Sequence, residues 1–455
     1  MKIHFIAIGG SVMHNFAIAL HKIGHEVTGS DDEIYDPAKT RLANHGLLPE
    51  SYGWHPERIT EDIEAVILGM HAKAGNPELE KARALGLRIY SFPEFIYEQS
   101  KHKHRVVICG SHGKTTITSM VMHVMRCLGR EFDYLVGGQI QGFDTMVKLS
   151  NDAPMIILEG DEYLASPLDK RPKFLLYKPH LALISGIAWD HINVFPTEEA
   201  YTNQFVQLVK SMPKAGMLVY NDEDKGVRRI IKQHARSEEH YLHPYKNIEH
   251  RIRDGRYEVK LKGKRMPVSV IGKHNMSNMA GAWEVCRLLA VDPEDFLKHI
   301  ATFTGASKRL EKIYEDDDNN IIFKDFAHSP SKVKATVEAV RDVFSRRNIV
   351  ACLELHTFSS LNKAFLHQYR KTLKAMKNKI VFVNEHTLKM KNYPSISRAE
   401  LIEAFEDEGI EYATTVEELR NLVRRMRSAS NNVFLMMSSG NFGNEDLEDL
   451  ALGGV

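Results

Sequence analysis

Short apolar runs alternate along the whole chain with stretches in which apolar side chains recur every three or four residues. The runs at 2–8, 25–29, 65–69 and 88–91 predict strands, and the periodic stretches at 13–23 and 77–85 predict helices. Their alternation implies a parallel sheet with crossover helices. A second series starts with an apolar strand at 105–109 and a helix at 115–128, which puts Ile117, Met120, Val121, Val124 and Leu128 on one side. It continues with a strand from 155 that runs out into carboxylates, a strand at 180–185, a helix at 200–212 and a strand at 216–220. Residues 251–270 switch to period two around Gly255 and Gly263, the pattern of antiparallel hairpins, before a helix that runs through 290. From about 306 the chain reads as a further α/β layer structure. A strand at 320–324 is followed by helix and strand in turn at 332–344, 349–355, 363–376, 380–384, 398–408, 416–426 and 433–438. The pattern predicts three α/β domains, at 1–103, 104–305 and 306–455.

A length of 455 residues agrees with several domains, since one core usually serves about 100–200 residues. Lys and Arg number 60 against 59 Asp and Glu, a formal charge of +1 that gives no reason to expect nucleic acid or a membrane as partner. The first residues form a short strand broken by glycines and lack the apolar core of a signal peptide. No apolar run approaches the roughly 20 residues of a spanning helix. Cys109, Cys127, Cys286 and Cys352 are scattered without paired metal spacing, as expected of reduced thiols in a cytoplasmic protein. Nothing in the sequence sets an oligomeric state.

The chemistry concentrates where apolar strands end. Gly110-Ser-His-Gly-Lys-Thr-Thr116 joins the strand at 105–109 to the next helix. Its glycines, Gly110 and Gly113, let backbone amides curl round an anion at a helix N-terminus. Lys114 supplies positive charge for the outer phosphates, and the Thr115 hydroxyl is spaced to ligate an accompanying metal. Ile108 stands where the common nucleotide loop has its first glycine, so this is a shortened variant. Glu159, Asp161 and Glu162 leave the following strand, and carboxylates at such a strand end suit magnesium bridging to phosphate. His191, beside Asp190 after the strand at 180–185, is a further metal candidate. Asn275 and Asn278 cap a helix start or grip a base or ribose. Arg309 at a domain junction, and Asp325 with His328 at the exit of the strand at 320–324, point to another crevice.

In the first domain Gly9-Gly10-Ser11 and Asp31 stand where a nucleotide-binding unit keeps its phosphate turn and ribose carboxylate. Gly-x-Gly-x-x-Gly is not met, so two readings stand: a nucleotide site, or glycines that serve only a tight turn. A nicotinamide-dependent oxidoreductase is the second class this leaves open.

In order and spacing, these motifs resemble those of the Mur ligases: Gly110 to Thr116, Glu159-Gly-Asp-Glu-Tyr163, Asp190-His191, Gly272-Lys-His-Asn-Met-Ser-Asn278, Lys308-Arg309-Leu310-Glu311 and Asp325-Phe-Ala-His-Ser-Pro330. The pattern is similar to the subgroup acting on UDP-N-acetylmuramate. Within it, the stretch His25-Glu-Val-Thr-Gly-Ser-Asp31 and the end Met437-Ser-Ser-Gly-Asn-Phe-Gly443 look more like the ligases that add L-alanyl-γ-D-glutamyl-meso-diaminopimelate than those that add L-alanine. The resemblance implies a Rossmann-like N-terminal domain, a central P-loop ATPase-like parallel sheet with extra antiparallel strands, and a Rossmann-like C-terminal domain. It implies an ATP- and Mg²⁺-dependent carbon–nitrogen ligase of peptidoglycan synthesis or recycling, working through an acyl phosphate.

Residue by residue, the resemblance assigns Gly110, Ser111, His112, Gly113, Lys114, Thr115, Thr116, Asn275, Asn278, Arg309 and Asp325 to ATP. It assigns Thr115, Glu159 and His191 to metal, and Gly9, Gly10, Ser11, Asp31 and His71 to the UDP group. His328, Glu354 and His356 fall to the amine substrate. Lys114, His191, Arg309 and His328 form the catalytic set. One departure stands out: Leu353-Glu-Leu-His-Thr-Phe-Ser359 lacks the arginine of a Glu-Pro-Arg-Ser stretch found in tripeptide ligases. Histidine cannot replace arginine's bidentate grip on a carboxylate.

Overall fold

The computed structural model describes residues 1–140, 142–189, 194–253, 255–306 and 309–453. One compact unit comprises residues 1–187, 199–246 and 281–289, and the other comprises 188–198, 247–280 and 290–455.

The first unit holds two sheets. The smaller has four parallel strands in the order Glu26–Ser30, Lys2–Ile6, Ala65–Leu68, Ile89–Ser91. Its apolar face is closed by the helix Ser11–Lys22, whose Phe16 ring stands edge-on to Phe5 at 5.8 Å and to Phe95 at 6.1 Å. The larger sheet has seven strands, ordered Tyr241–Tyr245, Met217–Asn221, Leu181–Ile184, His104–Cys109, Met155–Gly160, Asp133–Leu135, Val147–Lys148. Only the short last strand runs antiparallel to its neighbour. Val106, Val107, Ile108 and Cys109 are fully buried, which is why their strand is continuously apolar and central. Each such side chain contributes about 1.5–3 kcal/mol of burial free energy. The central position also brings the ends of His104–Cys109, Met155–Gly160 and Leu181–Ile184 side by side.

The second unit holds the antiparallel strands Glu249–Arg253, Arg256–Leu261 and Lys264–Val268, with the period-two pattern read from the sequence. It also holds a six-stranded sheet in the order Glu311–Glu315, Ile321–Asp325, Asn432–Met437, Asn348–Glu354, Asn378–Phe382, Glu411–Ala413. All neighbours are parallel except the first pair. Buried layers line both faces, Val337, Leu353 and Leu435 on one and Phe382, Phe434 and Val423 on the other.

One expected helix is broken. Over 363–376 only Lys363–Leu366 is α-helical, followed by a 3₁₀ turn at His367–Tyr369. Arg370 leaves the helical region with a ψ of 121° and Lys371 takes a φ of 58°, so the helix cannot continue. Leu366, Tyr369, Leu373 and Met376 all enter the core, giving helical spacing without a continuous helix. The helix Glu385–Met390, capped by the Asn384 side chain, was not expected. Among the described residues no helix is long and apolar enough to cross a membrane.

Candidate active site

The loop after His104–Cys109 is shaped by its backbone. Gly110 has a φ of 134° and Gly113 a left-handed φ of 78° as the cap of the helix Lys114–Cys127. No side chain caps that helix, so its first amides face the loop, the arrangement that suits an anion. The loop is braced from the next strand end. Ser111 N donates to Gly186 O at 3.0 Å, and the Ser185 hydroxyl donates to the carbonyls of His112 and of Cys109. His112 Nδ1 pairs with Ser111 Oγ at 2.8 Å. A Cβ on Gly110 would lie 2.1 Å from Ser185 Oγ. Gly110→Ala is therefore expected to cost about 1–3 kcal/mol from backbone strain alone, read as a lower denaturant midpoint.

Lys114 Nζ donates to Gly110 O and to Glu162 Oε2, both at 2.8 Å, and lies 3.8 Å from Asp161. Burial works against the ammonium, but Glu162 and Asp161 outweigh it and hold the lysine above its ordinary pKa. Thr115 Oγ1 donates to Glu159 Oε1 at 2.9 Å, and Gly137 N donates to Glu159 Oε2 at 2.9 Å. Thr116, the next residue of the helix, is also buried. A hydroxyl and a carboxylate converging beside the phosphate loop are the oxygen donors a hard divalent cation takes. Among the described residues no three His, Cys, Asp or Glu form a metal cluster. The third expected ligand, His191, lies outside the described residues, as do Asp190 and Lys308.

In the first sheet, Gly9, Gly10 and Ser11 follow Lys2–Ile6, Asp31 follows Glu26–Ser30, and His71 lies exposed beyond Ala65–Leu68. Gly9 N donates to Asp31 Oδ2 at 2.7 Å. Burial pushes the Asp31 carboxyl up to about 6 against that amide.

In the second unit, Asn275 and Asn278 lie on the first turns of the helix Lys273–Leu288, both buried. Asn278 Nδ2 donates to Asn275 Oδ1 at 3.2 Å, and Asn275 Nδ2 donates to Ile271 O at 2.8 Å. Asp325 ends its strand and accepts from the Thr336 hydroxyl. Burial raises its pKa, and Thr336 and Arg309 oppose the rise. The Arg309 guanidinium lies 4.8 Å from the centre of the Phe326 ring. His328 Nδ1 donates to Phe326 O at 2.7 Å. Two strands away, Glu354 is 2% exposed and accepts from the Ser438 hydroxyl and from Phe442 N, at 2.9 Å for the latter. His356 Nδ1 stands 3.6 Å from Glu354 Oε1. Burial works against the Glu354 carboxylate, but these neighbours hold it below its ordinary pKa. Asp325, Ser438 and Glu354 thus sit at the ends of three adjacent parallel strands, where ligands of such sheets bind.

Three family models match the chain in sequence order. The one described as Mur ligase family, catalytic domain, covers residues 2–104; Mur ligase middle domain covers 108–286; and Mur ligase, glutamate ligase domain, covers 308–440. The chain is a Mur ligase. Its relatives include the UDP-N-acetylmuramate–L-alanine ligase of Sulfurihydrogenibium sp. (strain YO3AOP1), 30% identical over 96% of this chain and 95% of that one. They also include the UDP-N-acetylmuramate–L-alanyl-γ-D-glutamyl-meso-2,6-diaminoheptandioate ligase of Haemophilus influenzae, 30% identical over 77% of this chain and 79% of that one. In fold, the chain is similar to the crystal structure of the UDP-N-acetylmuramate–alanine ligase of Thermotoga maritima. The TM-score is 0.71 at 20% identity, covering 98% of this chain and 97% of that one. As a family member it is an ATP-dependent ligase of peptidoglycan synthesis, built from three Mur ligase domains around mainly parallel sheets.

The geometry gives two candidate-site features that this Mur ligase's sequence did not specify. Glu162, expected from the sequence among carboxylates suited to magnesium, is instead fully buried, pairs with Lys114 and accepts from the Tyr201 hydroxyl at 3.1 Å. The run of carboxylates from 159 to 162 gave the signal, but which of them faced the lysine depended on the twist of the strand exit. Ser438 and the Phe442 amide, which anchor Glu354, come from a distant stretch, and no spacing rule links them to residue 354.

Proposed function

We propose that this Mur ligase joins the lactyl carboxylate of UDP-N-acetylmuramate to the amine of L-alanyl-γ-D-glutamyl-meso-diaminopimelate. Residues 1–103 would take the uridine nucleotide, 104–305 ATP, and 306–455 the amine. The observation that carries the reading is the convergence of Lys114, Thr115 and Glu159 on one phosphate-binding loop. A carboxylate is a poor electrophile at neutral pH. Transfer of the γ-phosphoryl group to the substrate carboxylate gives an acyl phosphate and ADP, and attack by the amine then expels inorganic phosphate and forms the amide.

Lys114 and the loop amides hold the β- and γ-phosphates and stabilise charge developing on the leaving oxygen. Thr115 and Glu159, with His191, would hold Mg²⁺, which supplies charge neutralisation between phosphate and carboxylate. Asn275, Asn278 and Asp325 take the nucleoside, and Arg309 the γ-phosphate. His328, oriented by its Nδ1 bond to Phe326 O, would accept the proton released by the amine.

L-alanine is the second reading for the amine, favoured by the L-alanine ligase relative that matches over 96% of the chain. Phosphate release by the purified protein with ATP, Mg²⁺, UDP-N-acetylmuramate and each amine in turn decides between them. The tripeptide is expected to give the highest kcat/KM. No stimulation by any muramoyl nucleotide would sink the proposal.

A further inference from the structure

We propose that Lys391, backed by the Phe358 ring, receives a carboxylate of the amine substrate remote from its reacting nitrogen, so that the site selects a peptide over a single amino acid. The inference rests on the reading that the amine binds at the strand ends of the C-terminal sheet.

The strands Asn348–Glu354 and Asn378–Phe382 are parallel neighbours. Beyond the first stand Glu354, His356 and Phe358, and beyond the second, one helix further on, stands Lys391. The Lys391 ammonium donates to His356 O and lies 4.9 Å from the centre of the Phe358 ring. Among the described residues no carboxylate forms an ion pair with it. Glu354, which acts on it electrostatically, also accepts from Ser438 and Phe442. Burial pulls the lysine below its ordinary pKa, with Glu354 opposing, so a partly desolvated cation stands without a matched counter-charge.

The surroundings suit a peptide. Phe358 is 53% exposed beside the Tyr393 ring, 6.3 Å away, and Met390 is 72% exposed. A cation beside an exposed aromatic ring at the strand ends offers a peptide one charged and one apolar contact.

Reach decides the substrate class. The Lys391 ammonium sits on His356 O, just past Asn348–Glu354, which lies two strands from Ile321–Asp325, the strand that leads to His328. At the usual interstrand spacing that is roughly 10 Å. One amino acid spans only about 3.5 Å, whereas three extended residues span about 10 Å. The position also answers the missing arginine at 353–359, because the cation comes from a different loop.

The test compares kcat and KM for the tripeptide with free carboxylates and for its carboxyl-terminal amides, in the wild-type protein, Lys391→Met and Lys391→Arg. Wild type is expected to lose about 10- to 100-fold in kcat/KM on amidation of the recognised carboxylate, mostly through KM, as for a lost charge-assisted hydrogen bond. Lys391→Met should show the same loss with the free acid, indifference to amidation, and unchanged KM for ATP and UDP-N-acetylmuramate, while Lys391→Arg keeps most of the wild-type value. Tripeptide turnover in Lys391→Met equal to wild type, or equally sensitive to amidation, overturns the inference alone. A wild-type protein that never turns over the tripeptide overturns the reading beneath it. The amide comparison needs no variant, and the ATP KM reports whether the variants are folded.

Discussion

Lys114→Ala is expected to lower kcat for ligation by about 10²- to 10³-fold, the loss usual for a preorganised positive donor at a transferring phosphoryl group. The same substitution should also destabilise the protein, for a reason separate from catalysis. Glu162 is fully buried, and Lys114 forms its ion pair at 2.8 Å. Removing the lysine leaves a buried carboxylate without its counter-charge, at a cost of about 3–5 kcal/mol. Lys114→Ala/Glu162→Gln should therefore recover most of the thermal midpoint while remaining as inactive as the single variant. Phosphate release and thermal unfolding on both proteins separate the two roles. A double variant that regained turnover together with stability would make Lys114 a structural residue. A protein that only sensed nucleotide would show no turnover to lose.

Glu159→Gln is the second large effect, expected at about 100-fold in kcat with a weaker apparent affinity for Mg²⁺. The carboxyl is 6% exposed. Burial and Asp161 push its pKa up, while Lys114, the Gly137 amide and the Thr115 hydroxyl pull it down, with a net rise. The rise has two consequences of opposite direction. Protons compete with metal, so the apparent Mg²⁺ affinity of the wild-type protein should fall as pH falls through the raised value. In metal-free protein, a carboxyl raised above its unfolded pKa contributes stability that is present below the unfolded value. That stability is lost as pH rises through the folded one. Metal-free stability and apparent Mg²⁺ affinity, each followed as pH rises from the ordinary carboxylate range, should slope in opposite senses, and Glu159→Gln should flatten both contributions.

What was legible in the sequence follows from what is local. The phosphate loop joins a strand and a helix within one short stretch, so Gly110, Gly113, Lys114 and Thr115 carry their geometry with them. Glu159 was legible because parallel strands that are apolar throughout announce their own ends. The helix expected over 363–376 failed because burial at helical spacing is shared by a turn-rich segment whose side chains all point into one core. Lys391 escaped notice for a related reason. It follows a helix of six residues, too short to show a period, and its partner His356 lies 35 positions earlier. Only strand pairing brings their loops together.

The strand Asn432–Met437 is the last of its sheet in sequence, yet it lies between Ile321–Asp325 and Asn348–Glu354. During synthesis the two earlier strands leave the ribosome with no surface to join them. The sheet can close only when nearly the whole chain has emerged, through contacts of high sequence separation that form slowly. Until then the strand ends of Asp325 and Glu354 are not held side by side. A nascent or prematurely terminated chain ending before residue 432 would therefore lack this row of strand ends, and its exposed strand edges would be open to chaperones and proteases.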